Sequence, residues 1–410
     1  MPSAIPLEVR RARIAVSALF LTNGALFANI VPRLPEIKET LGVDTAVYGL
    51  LLAAWPLGSF LLGLLAAPLM RRFGSAPVAA VGTVLIAIAL LCAGFAPTAI
   101  LFAVPMFLGG ALDAIVDVGQ NTHGLEVQRR FGRSIINSLH AIWSVGAVLG
   151  GAMAAGAIAL SVPVPVHLAI AGAVFSASAL TAWRFCLPRT GEQSLDDTAG
   201  AAPVVPAVRP GIRTIALLAA LVVIAIAGAM VEDLGSSWST LYLSDSLGAI
   251  GAIAATGYIA LIGAQFVGRM LGDRFTDRFG AVAVARAGGI LIALGLGLAL
   301  AFPTVPGTII GLAAAGFGSA TIVPAAMHAA DEMPGLRAGS GLTFLAWLMR
   351  LGFLFAPPAV GLLAEQTDLR TALIVYPIAG AIVVLLAFTL RPRRTAASGT
   401  AHGDEERSRG

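Results

Sequence analysis

The stretch AVYGLLLAAWPLGSFLLGLLAAPL, residues 46–69, holds no charged side chain, and Met70-Arg71-Arg72-Phe73-Gly74 ends it. A helix needs roughly 20 apolar residues to cross a bilayer core. This run is long enough, and the arginine pair marks where it leaves the hydrocarbon. Eleven other runs read the same way. In the first half they are Ala12–Pro32, Pro77–Phe95, Thr98–Thr122, Ile135–Leu160 and Val164–Leu187. In the second half they are Thr214–Ser236, Ile250–Leu271, Ala281–Phe302, Thr304–His328, Gly339–Ala364 and Thr371–Leu390. Their Ala, Leu and Gly content favours helix, and the ~10-residue alternating segments of a spanning barrel are lacking.

Of 410 residues, 58% are hydrophobic and 12% charged; soluble domains carry about 25% charged residues. That excludes a disordered chain and argues against a soluble enzyme. The net charge is +4, but the 26 basic residues sit in short clusters between apolar runs. Such spacing suits a lipid bilayer and not nucleic acid. With the N-terminus in the cytoplasm, 22 basic residues fall in cytoplasmic regions, Arg269 and Arg286 among them. Three fall outside, Arg33, Lys38 and Arg370, and Arg350 falls in mid-span. Arg10-Arg11-Ala12-Arg13 before an apolar run mimics a signal peptide, but that run has a counterpart in the second half, so cleavage is not expected. Cys92 and Cys186 offer no disulfide framework or metal spacing, and no cofactor is implied.

Pro188–Arg213 has the composition of a flexible linker. It divides the chain into six-span bundles at 1–187 and 214–394, followed by a polar, disordered cytoplasmic tail at 395–410. A shift of 206 residues aligns Leu41-Gly42 with Leu247-Gly248, Phe60 with Phe266, and Arg72-Phe73-Gly74 with Arg278-Phe279-Gly280. Gly110 then meets Gly316 and Gly146 meets Gly352, though single matches carry little weight in a chain with 47 glycines. Internal repeats of this kind mark secondary transporters, with the substrate site at the repeat interface. The expected fold is an all-α membrane protein of twelve transmembrane helices in two pseudo-symmetric six-helix bundles.

The stretch after the eighth span reads Gly272-Asp273-Arg274-Phe275-Thr276-Asp277-Arg278-Phe279-Gly280. Read as a loop, it offers acid–arginine pairs across a helix interface and a glycine for the tight turn. On these residues the chain resembles the Major Facilitator Superfamily, whose signature loop carries Asp-Arg-x-Gly after the second helix of each half. The resemblance implies that Asp273, Arg274, Asp277, Arg278 and Gly280 latch the bundles on the cytoplasmic side during alternating access. In the first half Arg71 stands where the family has Asp. Arg71, Arg72 and Gly74 keep the basic turn without that acid, and plain positive-inside anchoring is their alternative reading.

Asp113, Asp117 and Asn121 are spaced i, i+4, i+8 on one face of the fourth span. A carboxylate at mid-span costs about 2.5–3.5 kcal/mol, so two of them imply a polar cavity or a partner. A carboxyl that takes up and releases a proton is what proton-coupled transport requires. Glu126–Arg133 reads as a loop. The fifth span then opens Asn137-Ser138-Leu139-His140-Ala141, which puts His140 at the depth of Asp117 as a candidate relay partner. That hairpin is similar to the fucose-permease-like branch, in which an acid of the fourth span is tied to proton-coupled sugar uptake. Arg350 in the eleventh span needs a partner, either one of these acids or an anionic substrate. Pro357-Pro358 beyond it suggests a bend. Glu232, Asn23 and Gln265 are further polar candidates for the cavity, with interfacial anchoring or inter-helix bonding as their structural alternatives. Trp347 is a candidate stacking surface. His328, Asp331 and Glu332 read as helix-end groups.

No phosphate loop, His-Glu-x-x-His or Gly-x-Ser-x-Gly elbow occurs, so neither an ATP-driven pump nor a metalloprotease is supported. The expectation is a secondary transporter that moves a small-molecule substrate, and protons, by alternating access. It is expected to import, to work as a monomer, and to lie in a bacterial inner membrane with both termini in the cytoplasm. An exporter of the same superfamily is the first rival, weakened because the fifth span lacks a Gly-Pro pair. A receptor or sensor is the second, weakened by short loops.

Overall fold

The structure, a computed structural model, describes residues 5–188, 211–333, 336 and 340–391. The linker reading over 189–210 and the tail reading over 395–410 lie outside the described residues. So do Arg189, Arg209, Arg337, Arg393, Arg394, Arg407 and Arg409 of the orientation count. Among the described residues there are twelve helices able to span a membrane and no strand. The first six are α1 Leu7–Leu41, α2 Thr45–Phe73, α3 Ser75–Gly94, α4 Ala99–Phe131, α5 Ile136–Ala159 and α6 Val164–Trp183. The second six are α7 Ile212–Ser237, α8 Gly251–Phe279, α9 Ala281–Ala301, α10 Val305–Asp331, α11 Ser340–Gln366 and α12 Leu369–Leu390. An even number of crossings brings both chain ends to one face, called the terminal face below.

The helix ends obey local chemistry that repeats between the halves. Thr98 caps α4 by accepting from the Leu101 amide, and Thr304, 206 positions on, caps α10 by accepting from Gly307. Gly42 and Gly248 both stop a helix in the left-handed region, at φ +62° and +67°. Gly74 and Gly280 make the turns into α3 and α9 at φ +92° and +80°, as the Arg-Phe-Gly triplets suggested.

Several expected boundaries are corrected. Glu126–Arg130 belongs to α4, which continues to Phe131 before Gly132 caps it. Gly272–Phe279 is the last two turns of α8, and only Gly280 is turn. In both places polar residues continue a helix past the apolar run: in the first, arginine, glutamate and glutamine are good helix formers, and in the second the helix runs on until Gly280 ends it. Arg33 and Lys38, counted as outer-loop residues, lie in α1, which tightens to a 3-10 turn at Val31–Arg33 and then continues. Arg33 is buried there, ion-paired to Glu36 at 3.0 Å and donating to the Val162 carbonyl at 2.8 Å. α11 runs through Pro357 and Pro358 as one helix.

Each half packs in the same pattern. α1 lies on α5 and α6, α2 on α4, and α3 on α4 and α6; correspondingly α7 lies on α11 and α12, α8 on α10, and α9 on α10 and α12. The glycines set these crossings. A Cβ on Gly110 would overlap the Trp55 carbonyl, and one on Gly316 would overlap the Leu261 carbonyl, which is the same contact one repeat later. Small residues let helix backbones approach closely in a membrane, where van der Waals packing replaces the hydrophobic drive.

The halves meet along two seams, α2 with α11 and α5 with α8. Their contacts gather toward the face opposite the termini. Gly49 packs on the Pro357 carbonyl, Gly361 on that of Thr45, and Gly151 on the Tyr258 ring. Lys38 reaches Asp245 at 3.8 Å, Tyr48 donates to the Ser237 carbonyl at 3.2 Å, and its ring meets Trp238 edge-on. At mid-depth the Phe60 and Trp347 rings still touch, with centroids 5.2 Å apart. Nearer the terminal face Phe73, Phe279 and Phe344 are exposed. The molecule is closed on one side and parted on the other.

Gly316→Val should lower stability by about 1–3 kcal/mol, because backbone cannot retreat from the added methyls. Gly156→Val, whose Cβ meets open space, is the control and should unfold at the wild-type temperature. Thermal unfolding of the detergent-solubilised protein measures both.

Candidate functional site

The parted side leads to a polar ladder on α4. Asp113, Asp117 and Asn121 stand one turn apart, about 6 Å at 1.5 Å per residue. Neighbouring helices reach Asp113 because glycines admit them. Gly110 lets α2 approach, and Gly109 leaves room for the Trp55 ring. The Trp55 ring packs over Gly109, one turn from Asp113. Gly24 lets α5 press on α1 beside the Trp143 carbonyl. Asn23 then donates to Asp113 Oδ1 at 2.7 Å and accepts from Trp143 Nε1 at 2.8 Å. Gln120, fully buried, links the rungs by donating to Asn23 Oδ1 at 3.4 Å and Asp117 Oδ1 at 3.3 Å. Asn121 donates to Asp117 Oδ1 at 2.9 Å. The carboxyls are thus met by neutral donors, and among the described residues no arginine is hydrogen-bonded to either.

Cations and a third acid come from the other half and from α5. Asp117 is in electrostatic range of His140 on α5 and Arg350 on α11. His140 is in turn within range of Arg269 on α8. It packs edge-on against Phe20, ring centroids 5.3 Å apart, and makes no hydrogen bond to Asp117. Arg269 pairs with Glu232 of α7 at 3.3 Å, and Gln265 donates to the same Glu232 oxygen at 3.1 Å. Asp117, His140 and Arg350 are exposed while interacting across the halves, so they face the gap between the bundles and not lipid.

The structure therefore brings together Asn23, Asp113, Asp117, Asn121, His140, Glu232, Gln265 and Arg350. Asn23 and Gln265 do bond between helices, and what they bond is a carboxylate of the site. Glu232 is not an interfacial anchor, because α7 turns it inward to Arg269. Trp347 meets Phe60 at the α2–α11 seam and is half exposed. Arg269 is a correction: counted as a cytoplasmic anchor, it lies within α8 on the wall of the gap. In this conformation the expected latch is not formed. Among the described residues, Asp273, Arg274, Asp277 and Arg278 are exposed and form no ion pair, because the two halves are apart at this end. Arg278 lies over the Phe279 ring at 5.5 Å, as Arg72 lies over Phe73 at 5.3 Å.

Four residues were missed by reading the sequence: Trp55, Gln120, Trp143 and Arg269. Gln120 had a signal, being a glutamine inside an apolar run three positions after Asp117. The tryptophans had none, because an indole in a span reads as packing until, as for Trp143, its N–H is seen to find an acceptor.

The sequence model of the Major Facilitator Superfamily matches residues 16–271 and 221–409. A protein of Sinorhizobium fredii described as "Uncharacterized transporter y4wD" is 30% identical over 380 residues, which cover 92% of this chain and 97% of that one. Among solved structures, the D-xylose-proton symporter superposes with a TM-score of 0.70 at 16% identity, covering 93% of this chain and 97% of the other. The nucleoside transporter NupG superposes at 0.68 with 14% identity, covering 94% and 99%. At these identities the solved structures establish likeness of fold.

Asn23→Leu removes a donor from Asp113 and orphans the Trp143 indole N–H. The variant should lose about 1–3 kcal/mol of stability. Trp143 fluorescence should also change in the variant, read against a Trp143→Phe protein to isolate that indole.

Proposed function

The chain belongs to the Major Facilitator Superfamily and is a multi-pass membrane transporter, and on that premise we propose that it imports a small polar solute together with protons. The observation that carries this reading is the carboxyl ladder of Asp113 and Asp117. Its rungs are bonded to neutral donors on their own half and lie opposite Arg350 on the other. A carboxyl held by side-chain amides stays in place whether or not it carries a proton. Arg350 interacts with it more strongly when the proton has left. The protonation state therefore changes the attraction between the halves, and that is what coupling requires.

In this reading the terminal face is cytoplasmic, in line with its arginines, and the conformation is open to the cytoplasm. Solute and proton leave from the gap between Asp117, His140 and Arg350. When the halves swing, the α2–α11 and α5–α8 seams open on the outer side and the cytoplasmic ends close. Asp277 and Arg278 then come within reach of the first half and act as the latch, with Arg71 and Arg72 on the facing turn. A single chain contains both halves and works as a monomer.

Indoles and amides beside carboxylates suit a solute with several hydroxyls and at least one apolar face. The solved neighbours named for D-xylose and nucleosides carry solutes of that kind, which supports the same class here. The family is one of transporters, and the site holds no nucleophile–base pair that would point to chemistry on the solute.

A thermal-shift screen of sugars, nucleosides and organic acids identifies the cargo, since a ligand at 100 times its Kd adds about 2.7 kcal/mol of stability. Uptake of that cargo into vesicles under an imposed inward proton gradient then tests the coupling. Asp113→Asn and Asp117→Asn should abolish accumulation against a gradient while exchange at equal pH persists. If both variants accumulate like wild type, the ladder does not couple. If flux runs outward with the proton moving in, the protein is an exporter.

A further inference from the structure

Glu232 and Asp233 are consecutive, yet α7 gives them different surroundings. Glu232 is part of the gap wall, where Arg269 pairs with it. Asp233 is buried, with 7% of its surface exposed, one turn below Ser237 at the end of α7. Its Oδ1 accepts from the Ser237 hydroxyl at 2.8 Å. Its Oδ2 has no hydrogen-bond partner among the described residues. No basic side chain among them is bonded to it either, since Arg269 is taken by Glu232 and Arg350 acts on Asp117. The titratable groups within electrostatic range are Tyr48 of α2, Tyr376 of α12 and Glu232 beside it, and none of these supplies a cation.

The cover over Asp233 belongs to the closed side of the interface. Ser237, which holds the carboxyl, also accepts through its backbone carbonyl from the Tyr48 hydroxyl at 3.2 Å. Tyr48 stands on the first half, so one residue of α7 bonds both the buried acid and the opposite bundle. The Tyr48 ring also meets Trp238, the residue after Ser237, with centroids 5.5 Å apart. Tyr48, Ser237 and Trp238 are all buried. When the halves part on this side, Tyr48 leaves with the first half, and the carboxyl one turn below loses its cover.

Sealing an ionised carboxylate with one hydroxyl and no cation is strongly disfavoured against sealing the neutral acid. The bonding pattern names the atom, because Oδ1 is an acceptor and Oδ2 is left to carry the hydrogen. Once water enters from the outer face that penalty is gone, and the acid gives its proton to water as an exposed aspartic acid does. We propose that Asp233 is a second proton-binding site, filled and emptied from the outer face, whose proton is a condition for closing Tyr48 onto Ser237. The proposal rests on the alternating access stated above and does not require Asp113 or Asp117 to carry a proton. With the outer side closed the protein holds one more proton at Asp233 than with it open. Low pH therefore favours closure of the outer side, and rising pH favours its opening.

The test needs no cargo. Spin labels at Thr40→Cys and Gln366→Cys occupy exposed helix ends on the outer face, one on each half. The full-length protein carries Cys92→Ala and Cys186→Ala and is reconstituted in phosphatidylethanolamine–phosphatidylglycerol vesicles with equal pH on both sides. With no further change, the inter-label distance should lengthen as pH rises. Asp233→Asn keeps an acceptor for Ser237 and imitates the neutral acid, so it should hold the short distance at every pH. Asp117→Asn should still lengthen with pH. Tyr48→Phe removes the bond across the seam while Asp233 still titrates, and its midpoint should fall by about half to one pH unit. Infrared spectra add a readout that altered packing alone does not move. At a pH where the distance is short, the carbonyl stretch of a neutral carboxylic acid should be weaker in Asp233→Asn than in the parent protein.

An Asp233→Asn protein whose distance follows pH like the parent, or whose carboxylic-acid band is undiminished, overturns the proposal. So does a parent distance that ignores pH, or an Asp117→Asn protein that no longer responds, since the response would then be the ladder's. None of these results touches the role of Asp113 and Asp117, which uptake by their own variants decides.

Discussion

A charge inside hydrocarbon must find a partner or water, and most of this molecule answers to that demand. Asp113 is met by Asn23, Asp117 by Gln120 and Asn121, and Glu232 by Gln265 and Arg269. Each inter-helix bond requires two helices to come closer than bulky side chains allow. Gly24, Gly109 and Gly110 supply that approach where α1, α2 and α5 reach the site. The glycine pattern and the polar network are one requirement seen from two sides. Bulk at those glycines would push away the donors on which the carboxyls depend.

The internal repeat builds the scaffold, and the function departs from it. Under the 206-residue shift, helix caps, turn glycines and crossing glycines coincide. The ionisable residues of the gap do not. Asp113 and Asp117 correspond to Ser319 and Val323, Glu232 to Leu26, and Arg350 to Ser144. Exact symmetry would set acid against acid across the interface. The departure puts a pair of carboxyls on the first half and arginines on the second, so the halves attract through groups whose charge can change.

What the sequence made legible follows from this division. Twelve spans, their pairing into halves and the ladder on α4 depend on hydropathy and on i, i+4 spacing, and both can be read along a line. The inward face of Glu232 and the place of Arg269 depend on how α7 and α8 rotate about their axes, which glycine contacts decide in three dimensions. The ends of α4 and α8 were misjudged because hydropathy reports where the apolar run stops. The helix stops later, at Gly132 and Gly280, where the backbone takes positive φ. The Gly110 and Gly316 match deserved more weight than its base frequency suggested, since both glycines hold the same carbonyl contact.

The two ends of the interface are built from different materials, and that difference allows two states. The closed side is held by shape. Gly49 on Pro357, Gly361 on Thr45 and Tyr48 on Trp238 need close fit and little charge. The parted side carries Asp273, Arg274, Asp277 and Arg278, which are exposed when the halves are apart. Packed seams of this kind are engaged or released with little between, because dense contacts do not stretch. A change of charge at mid-depth therefore need not supply the energy of either seam. It has only to tip a balance between packing on one side and ion pairing on the other, and a proton moving on or off Asp117 beside Arg350 is a change of that kind.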